Sequence, residues 1–292
     1  MGEKFFIILN PACGRGQGRK LLTQLQQELA KQKLEYELYR TERPIDATKA
    51  ATEAGKRFSV VVAAGGDGTV NEVVNGLVGT GVAFGVIPIG SGNDFAKCLN
   101  VPPDVRAAVQ ILKNAKRRCV DIAKLGDRYF TNGLGIGLDG AISHRNRAIK
   151  YLHGKAAYMW AAVSEACSYR ASSIQMKTPS WEYSGRFLLA GASNGHCHGG
   201  DFLLAPHAKI DDGLLDIHLV TDMKPLRRLM QIPKVKQGQH LTLPEVQMHQ
   251  APWLELTTEV PLLAHLDGEP FLMQPGQVRV HVVSEIFEVI SG

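Results

Sequence analysis

Three glycine-rich segments each follow a short apolar run and mix small residues with polar ones. They run from Asn10 to Gly18 (NPACGRGQG), from Gly65 to Glu72 (GGDGTVNE) and from Pro88 to Ala96 (PIGSGNDFA). Glycine lets the main chain approach a phosphate closely, and the N-terminus of a following helix offers N–H donors and a positive dipole end. Together the three segments indicate a site for a phosphorylated ligand.

Each segment also has a plainer interpretation. Alone, the first is more often just a tight turn, since it has neither the Lys-Ser or Lys-Thr ending of a Walker P-loop nor the GxGxxG spacing of a dinucleotide site. In the second, Thr69 and Glu72 have the spacing of a capping box. Capping does not require Gly-Gly-Asp-Gly, so a binding role is favoured for the second segment.

Two carboxylates lie in neighbouring glycine-rich turns, each of which follows a predicted strand. Asp67 lies in the second segment and Asp94 in the third. Ligands of open α/β sheets bind outside the carboxyl ends of the strands, so both side chains are expected to point into one crevice. A pair of carboxylates there suits water-mediated Mg²⁺ and a triphosphate better than a dinucleotide.

The alternation of apolar runs with helical periods predicts an α/β domain over residues 1–121, doubly wound and Rossmann-like. Its apolar strands are short, and its helices are amphipathic. The expected strands are Phe5–Leu9, Tyr36–Tyr39, Ser59–Ala64 and Ala83–Pro88, and the expected helices are Arg19–Gln32, Ala47–Lys56, Asn71–Val78 and Val105–Lys113.

Residues 122–292 predict a second, mainly antiparallel β-sandwich domain, because many short strands are separated by Gly, Pro and Asp turns. One helical stretch, Ser143–Tyr169, is inserted, Met223–Ile232 is expected as a crossover helix, and Ile286–Ile290 is a candidate for returning to the first domain. The expected strands are Val120–Leu125, Arg128–Asn132, Phe187–Ser193, Leu215–Val220, Trp253–Thr258, Leu262–Leu266 and Val278–Val283.

Bulk properties narrow the class of protein. A length of 292 residues favours two domains, and the net charge of +5 is small for a nucleic-acid binder, so no nucleic-acid partner is expected. Five scattered cysteines without CxxC spacing argue against a disulfide framework or a structural zinc site and favour a reducing cytoplasm. The first apolar run is too short for a signal peptide or a membrane span, so any membrane contact is expected to be peripheral. A homodimer is left open.

The three segments resemble the diacylglycerol kinase catalytic-domain family, which includes sphingosine kinases, ceramide kinases and bacterial lipid kinases. NPxxGxG, GGDGTxNEVxNG and PxGSGNDFA occur in order. In the second half, Asn132–Asp139 resembles the family's glycine-rich strand and turn, Ala205–Asp216 its magnesium-associated loop, and Leu266–Pro270 its catalytic loop.

The resemblance implies an ATP- and Mg²⁺-dependent kinase that phosphorylates a lipid hydroxyl, with diacylglycerol as the expected acceptor and phosphatidic acid as the product. It implies that Lys209 and Leu214 offer carbonyl groups, and Asp212 its carboxylate, to a structural Mg²⁺, while Asp67, Asp94 and Asp121 organise the metal-water network. The residues that would line the nucleotide are Asn10, Pro11, Ala12, Cys13, Gly14, Thr41, Gly66, Asp67, Gly68, Thr69, Val70, Asn71, Glu72 and Ser91.

The resemblance also implies a general base in the second domain, acting in a cleft that faces the carboxylates of the first. Asp267 and Glu269 are both candidates. Asp267 is preferred because it ends the strand Leu262–Leu266, whereas Glu269 is expected to be a surface turn residue. Cys13 stands where many relatives carry Ser or Thr, which puts a hydroxyl contact to phosphate in doubt.

Other interpretations stay open. A small-metabolite kinase such as an NAD kinase shares the GGDGT turn, and a nucleotide- or lipid-binding module without catalysis is a second alternative. His196 and His198 supply two metal ligands at most, so a turn is favoured there. A mixture of cations and aromatic residues is a candidate contact with anionic headgroups, against a solvated helix face: His144, Arg145, Arg147, Lys150, His153, Lys155, Tyr158 and Trp160.

Overall fold

The structure is a computed structural model that describes residues 3–13, 18–152, 154–283 and 287–292. The chain forms two units: Met1–Asp121 together with Ser284–Gly292, and Ile122–Val283. Gly14, His153 and Ile286, which carry expectations from the sequence, lie outside the described residues.

The first unit is built on a six-stranded sheet with the order β2-β1-β3-β4-β17-β5, the strands being numbered by their position in the chain. All neighbouring pairs are parallel except β17 and β5, which are antiparallel. The strands are β1 (Lys4–Leu9), β2 (Glu35–Arg40), β3 (Val60–Gly65), β4 (Ala83–Pro88), β5 (Arg117–Val120) and β17 (Phe287–Ile290).

Five helices of the described chain connect these strands. Asp104 caps the last of them, because its carboxylate accepts a hydrogen bond from the N–H group of Ala107 at 2.8 Å. The third helix begins at Asp67, four residues before the predicted start at Asn71. The helices are α1 (Gly18–Lys31), α2 (Asp46–Ala54), α3 (Asp67–Leu77), α4 (Asp94–Cys98) and α5 (Val105–Asn114).

The centre of the first sheet is fully buried. Every residue of β3 and of β4 is buried, as expected for parallel strands with helices on both faces. Strand β17 brings Val289 opposite Phe84 of β4, and the rings of Phe84 and Phe287 lie 5.9 Å apart. The end of the chain therefore completes the sheet that the first 121 residues begin.

The second unit contains an antiparallel sheet of eleven strands. Nine follow the order β15-β14-β8-β10-β9-β13-β16-β6-β7, while β11 pairs with β10 and β12. The strands are β6 (Ala123–Leu125), β7 (Arg128–Phe130), β8 (Gly133–Gly137), β9 (Ser172–Lys177), β10 (Glu182–Ser193), β11 (Leu215–Thr221), β12 (Val246–Ala251), β13 (Trp253–Thr258), β14 (Leu262–Leu266), β15 (Glu269–Met273) and β16 (Gly276–Val282).

Three helices interrupt this sheet. Helices α6 (Leu138–Ala148) and α7 (Gly154–Ser168) lie between β8 and β9, and α8 (Pro225–Lys236) lies between β11 and β12. Among the described residues, no helix is both long and apolar enough to cross a membrane.

Three predictions of elements were wrong in detail. The single strand Val120–Leu125 is two strands in different units, because the chain leaves the first sheet after Val120. The single helical stretch from Ser143 is two helices that begin earlier, at Leu138. The predicted crossover Met223–Ile232 is not a crossover, since α8 connects two strands that pair directly and antiparallel.

Candidate functional site

The second and third glycine segments contact each other through their main chains. They follow the adjacent strands β3 and β4, whose last residues, Gly65 and Pro88, are register partners. A Cβ atom added at Gly90 would lie 2.4 Å from the Cα atom of Gly66, a distance at which the backbone would have to shift. The glycines are therefore required for two turns to approach this closely.

The carboxylate of Asp67 joins these two turns. Its Oδ2 atom accepts a hydrogen bond from the N–H group of Asn93 at 2.8 Å, and its Oδ1 atom accepts one from Asp94 at 2.6 Å. A Cβ atom at Gly92 would lie 2.6 Å from Oδ2 of Asp67. Asp67 is thus a bracket between the turns, in addition to any role at a metal.

The other polar groups of the third segment are also positioned. Asn93 adopts a left-handed conformation with φ of 55°, and its side chain bonds both the N–H and the carbonyl group of Gly90. The buried carboxylate of Asp94 pairs with the ammonium group of Lys97 at 3.1 Å. Ser91 is exposed at the tip of the turn.

The first segment is tied to the second by a hydroxyl group. Asn10 donates a hydrogen bond from Nδ2 to Oγ1 of Thr69 at 3.1 Å, and Sγ of Cys13 lies 3.8 Å from the same oxygen. Oδ1 of Asn10 accepts a hydrogen bond from the N–H group of Ala12, which is exposed like Pro11. The structure therefore brings Asn10–Cys13, the described start of the first segment, together with the other two glycine segments at one edge of the first sheet.

The alternative interpretation of Thr69 and Glu72 as a capping box, which the sequence disfavoured, does not hold. The N-cap of α3 is Gly66, and Glu72 instead bonds the start of α2, where its Oε2 accepts from the N–H group of Ala47 at 3.2 Å. Because Gly66 has no side chain, no N-cap side chain competes with a ligand for the first-turn N–H groups of α3.

The remaining predicted nucleotide residues differ in exposure. Gly68 is half-buried in the first turn of α3, whereas Val70 and Asn71 are buried. Thr41 follows β2 and bonds the carbonyl group of Leu9 through its N–H group at 2.9 Å, which places it beside the first segment.

The predicted metal residues lie on separate loops. In the second unit, Lys209 and Asp212 are exposed, and Oδ1 of Asp212 accepts a hydrogen bond from the N–H group of Leu214 at 3.1 Å. Asp121 is half-buried and is the last residue of the first unit before the chain crosses over. Within the described ranges, no group of three or more His, Cys, Asp or Glu side chains is arranged to hold a metal.

Asp267 occupies a two-residue hairpin turn between β14 and β15. Both turn residues have positive φ, 48° at Asp267 and 84° at Gly268, as a type I′ Asp-Gly turn requires. Oδ1 of Asp267 accepts hydrogen bonds from the N–H groups of Asn132 and Gly133 at 2.8 and 2.9 Å. Oδ2 accepts from the N–H and hydroxyl groups of Thr131 at 2.9 and 3.1 Å. Four donors thus fix this carboxylate at the start of β8.

Glu269 is not a turn residue, as the sequence had suggested, but the first residue of β15. Its side chain is 46% exposed and forms an ion pair with Arg147 of α6. The two candidate bases therefore differ physically: Asp267 is held mainly by main-chain donors, whereas Glu269 is accessible and pairs with the exposed Arg147.

Sequence reasoning missed a buried Asp–His pair close to this hairpin. Nε2 of His265 lies 3.0 Å from Oδ2 of Asp139, and both side chains are buried. Nδ1 of His265 accepts a hydrogen bond from the N–H group of Gly268 at 3.2 Å, so the ring proton is on Nε2 and faces the carboxylate. Burial alone would raise the pKa of Asp139, but the contact with His265 holds it below its usual value.

A second buried polar group lies on β10 and β11. The hydroxyl group of Ser193 is 2.9 Å from Nε2 of His198 and 3.4 Å from Nδ1 of His218. Burial, reinforced by the nearby His198, lowers the pKa of His218 to about 3. His218 is therefore neutral at physiological pH.

An apolar cavity of about 110 Å³ lies in the second unit, lined by residues of α6, α7, α8 and the strands β10 and β11. Oε1 of Gln231 and Nδ1 of His240 are buried and have no hydrogen-bond partner in the described part of the chain. Both residues line the cavity, as do Asp139 and His198. The apolar lining is formed by Leu138, Ile142, Tyr158, Ala162, Ala166, Leu188, Leu189, Phe202, Leu204, Val220, Met223, Ile232, Val235, Leu243 and Val246.

The two halves of the chain match two family models. Residues 4–125 match the diacylglycerol kinase catalytic domain, and residues 133–291 match the YegS C-terminal NAD kinase beta sandwich-like domain. The match over residues 4–125 agrees with the mainly parallel sheet of the first unit, and the match over residues 133–291 agrees with the antiparallel sheet of the second unit. The predicted fold class is therefore confirmed.

Relatives and a solved structure extend over most of the chain. It is 37% identical to the probable lipid kinase YegS-like of Chromohalobacter salexigens, over 76% of this chain and 72% of that protein. It is 30% identical to the diacylglycerol kinase of Bacillus subtilis, over 95% of each. A crystal structure of a diacylglycerol kinase from Bacillus anthracis shares the fold, with a TM-score of 0.77 at 24% identity and coverage of 99% and 97%.

The buried His218 predicts a pH dependence of stability. Its folded-state pKa of about 3 lies below the ordinary value of 6.5, so the unfolded chain binds more protons between these values. Above pH 6.5, the neutral His218 ring makes its full contribution to the free energy of unfolding. As the pH falls from 6.5 towards 3, the free energy of unfolding is expected to decrease by about 1.4 kcal/mol per pH unit. Urea denaturation between about pH 7 and about pH 4.5 measures this slope.

The variant His218→Gln isolates this contribution, because it removes the titrating ring and keeps a polar group beside Ser193. Its slope should be shallower than that of the wild type. His207→Gln, at an exposed position, is the matched control and should leave the slope unchanged. Equal slopes in the wild type and His218→Gln would contradict the assignment.

Proposed function

The chain belongs to the diacylglycerol kinase catalytic-domain family and is an enzyme of that family, and we propose that it transfers the γ-phosphoryl group of ATP to the hydroxyl group of a diacylglycerol. The product would be phosphatidic acid. The reaction is placed at the cytoplasmic face of a membrane, with the enzyme as a peripheral protein and no nucleic-acid partner.

The apolar cavity of the second unit is the observation that best supports a lipid as the phosphate acceptor. Fifteen of its twenty lining residues are apolar or aromatic, which suits hydrocarbon and is a poor match for a charged dinucleotide. A buried polar atom without a partner costs about 1–3 kcal/mol. The oxygen of Gln231 and the nitrogen of His240 would recover that cost by accepting a hydrogen bond from a hydroxyl group of the lipid.

The glycine turns of the first unit support the nucleotide. Close main-chain approach at Gly66 and Gly90, the bracket of Asp67 and the glycine N-cap of α3 together form an edge of N–H groups suited to phosphates. Thr69 and Asn10 hold the first segment beside them. These contacts fix the turns before any ligand binds, so little ordering cost would remain for the nucleotide.

Magnesium would supply charge neutralisation at the transferred phosphate. Asp67, Asp94 and Asp121 are proposed to hold its water ligands. A second, structural ion would use the carbonyl groups of Lys209 and Leu214 with the carboxylate of Asp212, oxygen donors of the type that Mg²⁺ prefers. Gly213, with φ of 74°, turns the chain between Asp212 and Leu214.

Activation of the lipid hydroxyl requires a base. Asp267 is our first choice, because its carboxylate is held in one orientation. Its four hydrogen bonds also oppose that choice, since donors occupy the lone pairs that would receive the proton. Glu269, with an accessible carboxylate and one ion-pair partner, remains the alternative.

The proposal is tested by offering purified protein Mg·ATP together with a total lipid extract, purified diacylglycerol or NAD. Labelled phosphate should appear on diacylglycerol. The variant Ala162→Phe fills the cavity and should lower kcat/KM for a long-chain diacylglycerol roughly tenfold or more, because one or more buried methylenes of contact are lost.

The same variant has an internal control in acyl-chain length. A short-chain diacylglycerol needs less of the cavity, so its kcat/KM should fall less, and the affinity for ATP should not change. Phosphate on NAD alone would overturn the lipid assignment. Equal losses for both chain lengths would place the acceptor outside the cavity.

Gly90→Ala tests the nucleotide edge. A methyl group 2.4 Å from the Cα atom of Gly66 must separate the two turns, so the affinity for Mg·ATP is expected to fall at least tenfold, measured by calorimetric titration. Gly55→Ala is the matched control, since its φ is −57° and the nearest atoms lie 3.3 Å away. An unchanged affinity in Gly90→Ala would show that the turns do not bind the nucleotide.

Paired substitutions decide between the two bases. If Asp267 accepts the proton, Asp267→Asn should lower kcat by about 10²- to 10⁴-fold while Glu269→Gln changes it little. The reverse pattern assigns Glu269. Because Asp267→Asn also breaks hydrogen bonds to Thr131 and its neighbours, a loss of about 1–3 kcal/mol in stability is expected, and both rates must be measured well below the unfolding temperature.

A further inference from the structure

Helix α7 exposes an apolar face to solvent. Ala156, Trp160, Val163 and Cys167 follow the i, i+4, i+7, i+11 spacing of one helical stripe, and all four are exposed. Trp160 and Val163 are each 42% exposed. A helix that is apolar on all sides is normally buried, so this outer face calls for a partner.

Aromatic rings extend this face at one end. Tyr151, 70% exposed, packs edge-on against the ring of Trp160 with centroids 6.1 Å apart. The guanidinium group of Arg145 lies 5.8 Å from the Trp160 ring. Tyr and Trp side chains are enriched where hydrocarbon meets water, because each joins an apolar ring to a polar atom.

Helix α8 repeats the pattern. Leu226, Met230 and Pro233 lie at i, i+4 and i+7 and are exposed, with Leu226 at 70% and Met230 at 58%. We call these three residues and the α7 stripe of Ala156, Trp160, Val163 and Cys167 the helical docking face. The two helices are neighbours, since Arg228 of α8 donates hydrogen bonds to the carbonyl groups of Ala166 and Tyr169.

The helices α7 and α8 carry mostly basic charges. The two helices contain a single acidic residue, Glu165, which is buried and paired with Arg145. Four exposed cations on or beside the helices make no ion pair with any described residue: Lys150, Arg170, Lys224 and Lys234. An exposed apolar face bordered by unpaired cations is complementary to anionic headgroups over hydrocarbon.

The docking face and the cavity lie on opposite sides of helices α7 and α8. Tyr158, Ala162 and Ala166 of α7 and Gln231 and Val235 of α8 line the cavity from the opposite sides of the same helices. We propose that the helical docking face binds the surface of an anionic phospholipid bilayer, which would hold the acceptor cavity, on the other side of the same two helices, near its lipid.

This surface differs from the cation-rich stretch suggested by the sequence. Three of those cations already have acidic partners: Arg145 pairs with Glu165, Arg147 with Glu269 and Lys155 with Asp201. The apolar residues between them, and helix α8, carry the proposal instead. Docking requires no nucleotide and no turnover, so it stands or falls separately from the proposed kinase reaction.

The test is flotation of the full chain with vesicles in the absence of ATP. One set of vesicles is pure phosphatidylcholine, and the other contains phosphatidylglycerol in addition. The wild type is expected to bind the anionic set more tightly. Trp160→Glu and Met230→Glu should each weaken that binding at least tenfold, because a carboxylate replaces an apolar anchor and repels the headgroups.

Val260→Glu is the matched control, since Val260 is 50% exposed in the same unit but outside the docking face. It should bind like the wild type. Lys224→Gln and Lys234→Gln should each reduce binding to the anionic vesicles roughly fivefold and leave binding to phosphatidylcholine unchanged. Circular dichroism checks that each variant is folded.

Two outcomes would overturn the proposal. One is wild-type binding to anionic vesicles by both Met230→Glu and Trp160→Glu. The other is a wild-type dimer that Met230→Glu converts to monomer with vesicle binding intact, which would assign the face to a second copy of the chain. Turnover of a dispersed short-chain diacylglycerol, unchanged in Met230→Glu, separates a docking defect from a failure of the kinase assignment.

Discussion

The carboxylate of Asp67 accepts hydrogen bonds from the main-chain N–H groups of Asn93 and Asp94, and the arrangement of the glycine turns depends on this contact. Two turns that meet through the backbones of Gly66 and Gly90 have almost no side-chain surface to hold them together. A charged acceptor shared between two N–H donors is stronger than a neutral hydrogen bond and fixes direction as well as distance. The bracket therefore explains how small residues form a defined edge.

The second unit uses the same device in an antiparallel setting. Asp267 gathers the N–H groups of Thr131, Asn132 and Gly133 around one carboxylate and so joins the β14–β15 hairpin to the start of β8. Polar groups deeper in this unit are histidines kept neutral by burial or paired with Asp139. Its chemistry is thus set within a rigid sheet, while its apolar surfaces lie on the three inserted helices.

The sequence predicted elements best where packing repeats locally. Strand β4 has the predicted bounds Ala83–Pro88, because a buried parallel strand is a continuous apolar run. The start of α3 was missed because Gly65 to Gly68 have poor helix propensity. Strands such as Ser172–Lys177, four of whose six residues are polar, acquire their identity only from neighbours in the sheet.

The candidate site divides in the same way. The glycine segments and the hairpin carboxylates were identifiable because close approach and turn geometry demand particular residues at short spacing. The cavity was not, since Leu138, Ala162 and Val246 are far apart in the chain and any apolar residue of suitable size can form such a wall. The exposed stripe of α7 was present in the sequence, but apolar spacing alone cannot show which face of a helix a fold leaves uncovered.

Strand β17 determines when the sheet of the first unit can be completed. The sheet of the first unit remains open between β4 and β5 until Phe287–Ile290 have been synthesised, because Val289 occupies that gap with its side chain fully buried. The whole second unit therefore lies in the chain between β5 and the strand that fills the gap beside it. Loss of β17 would leave the facing edges of β4 and β5 without a partner strand, so the first unit depends on residues that follow the second.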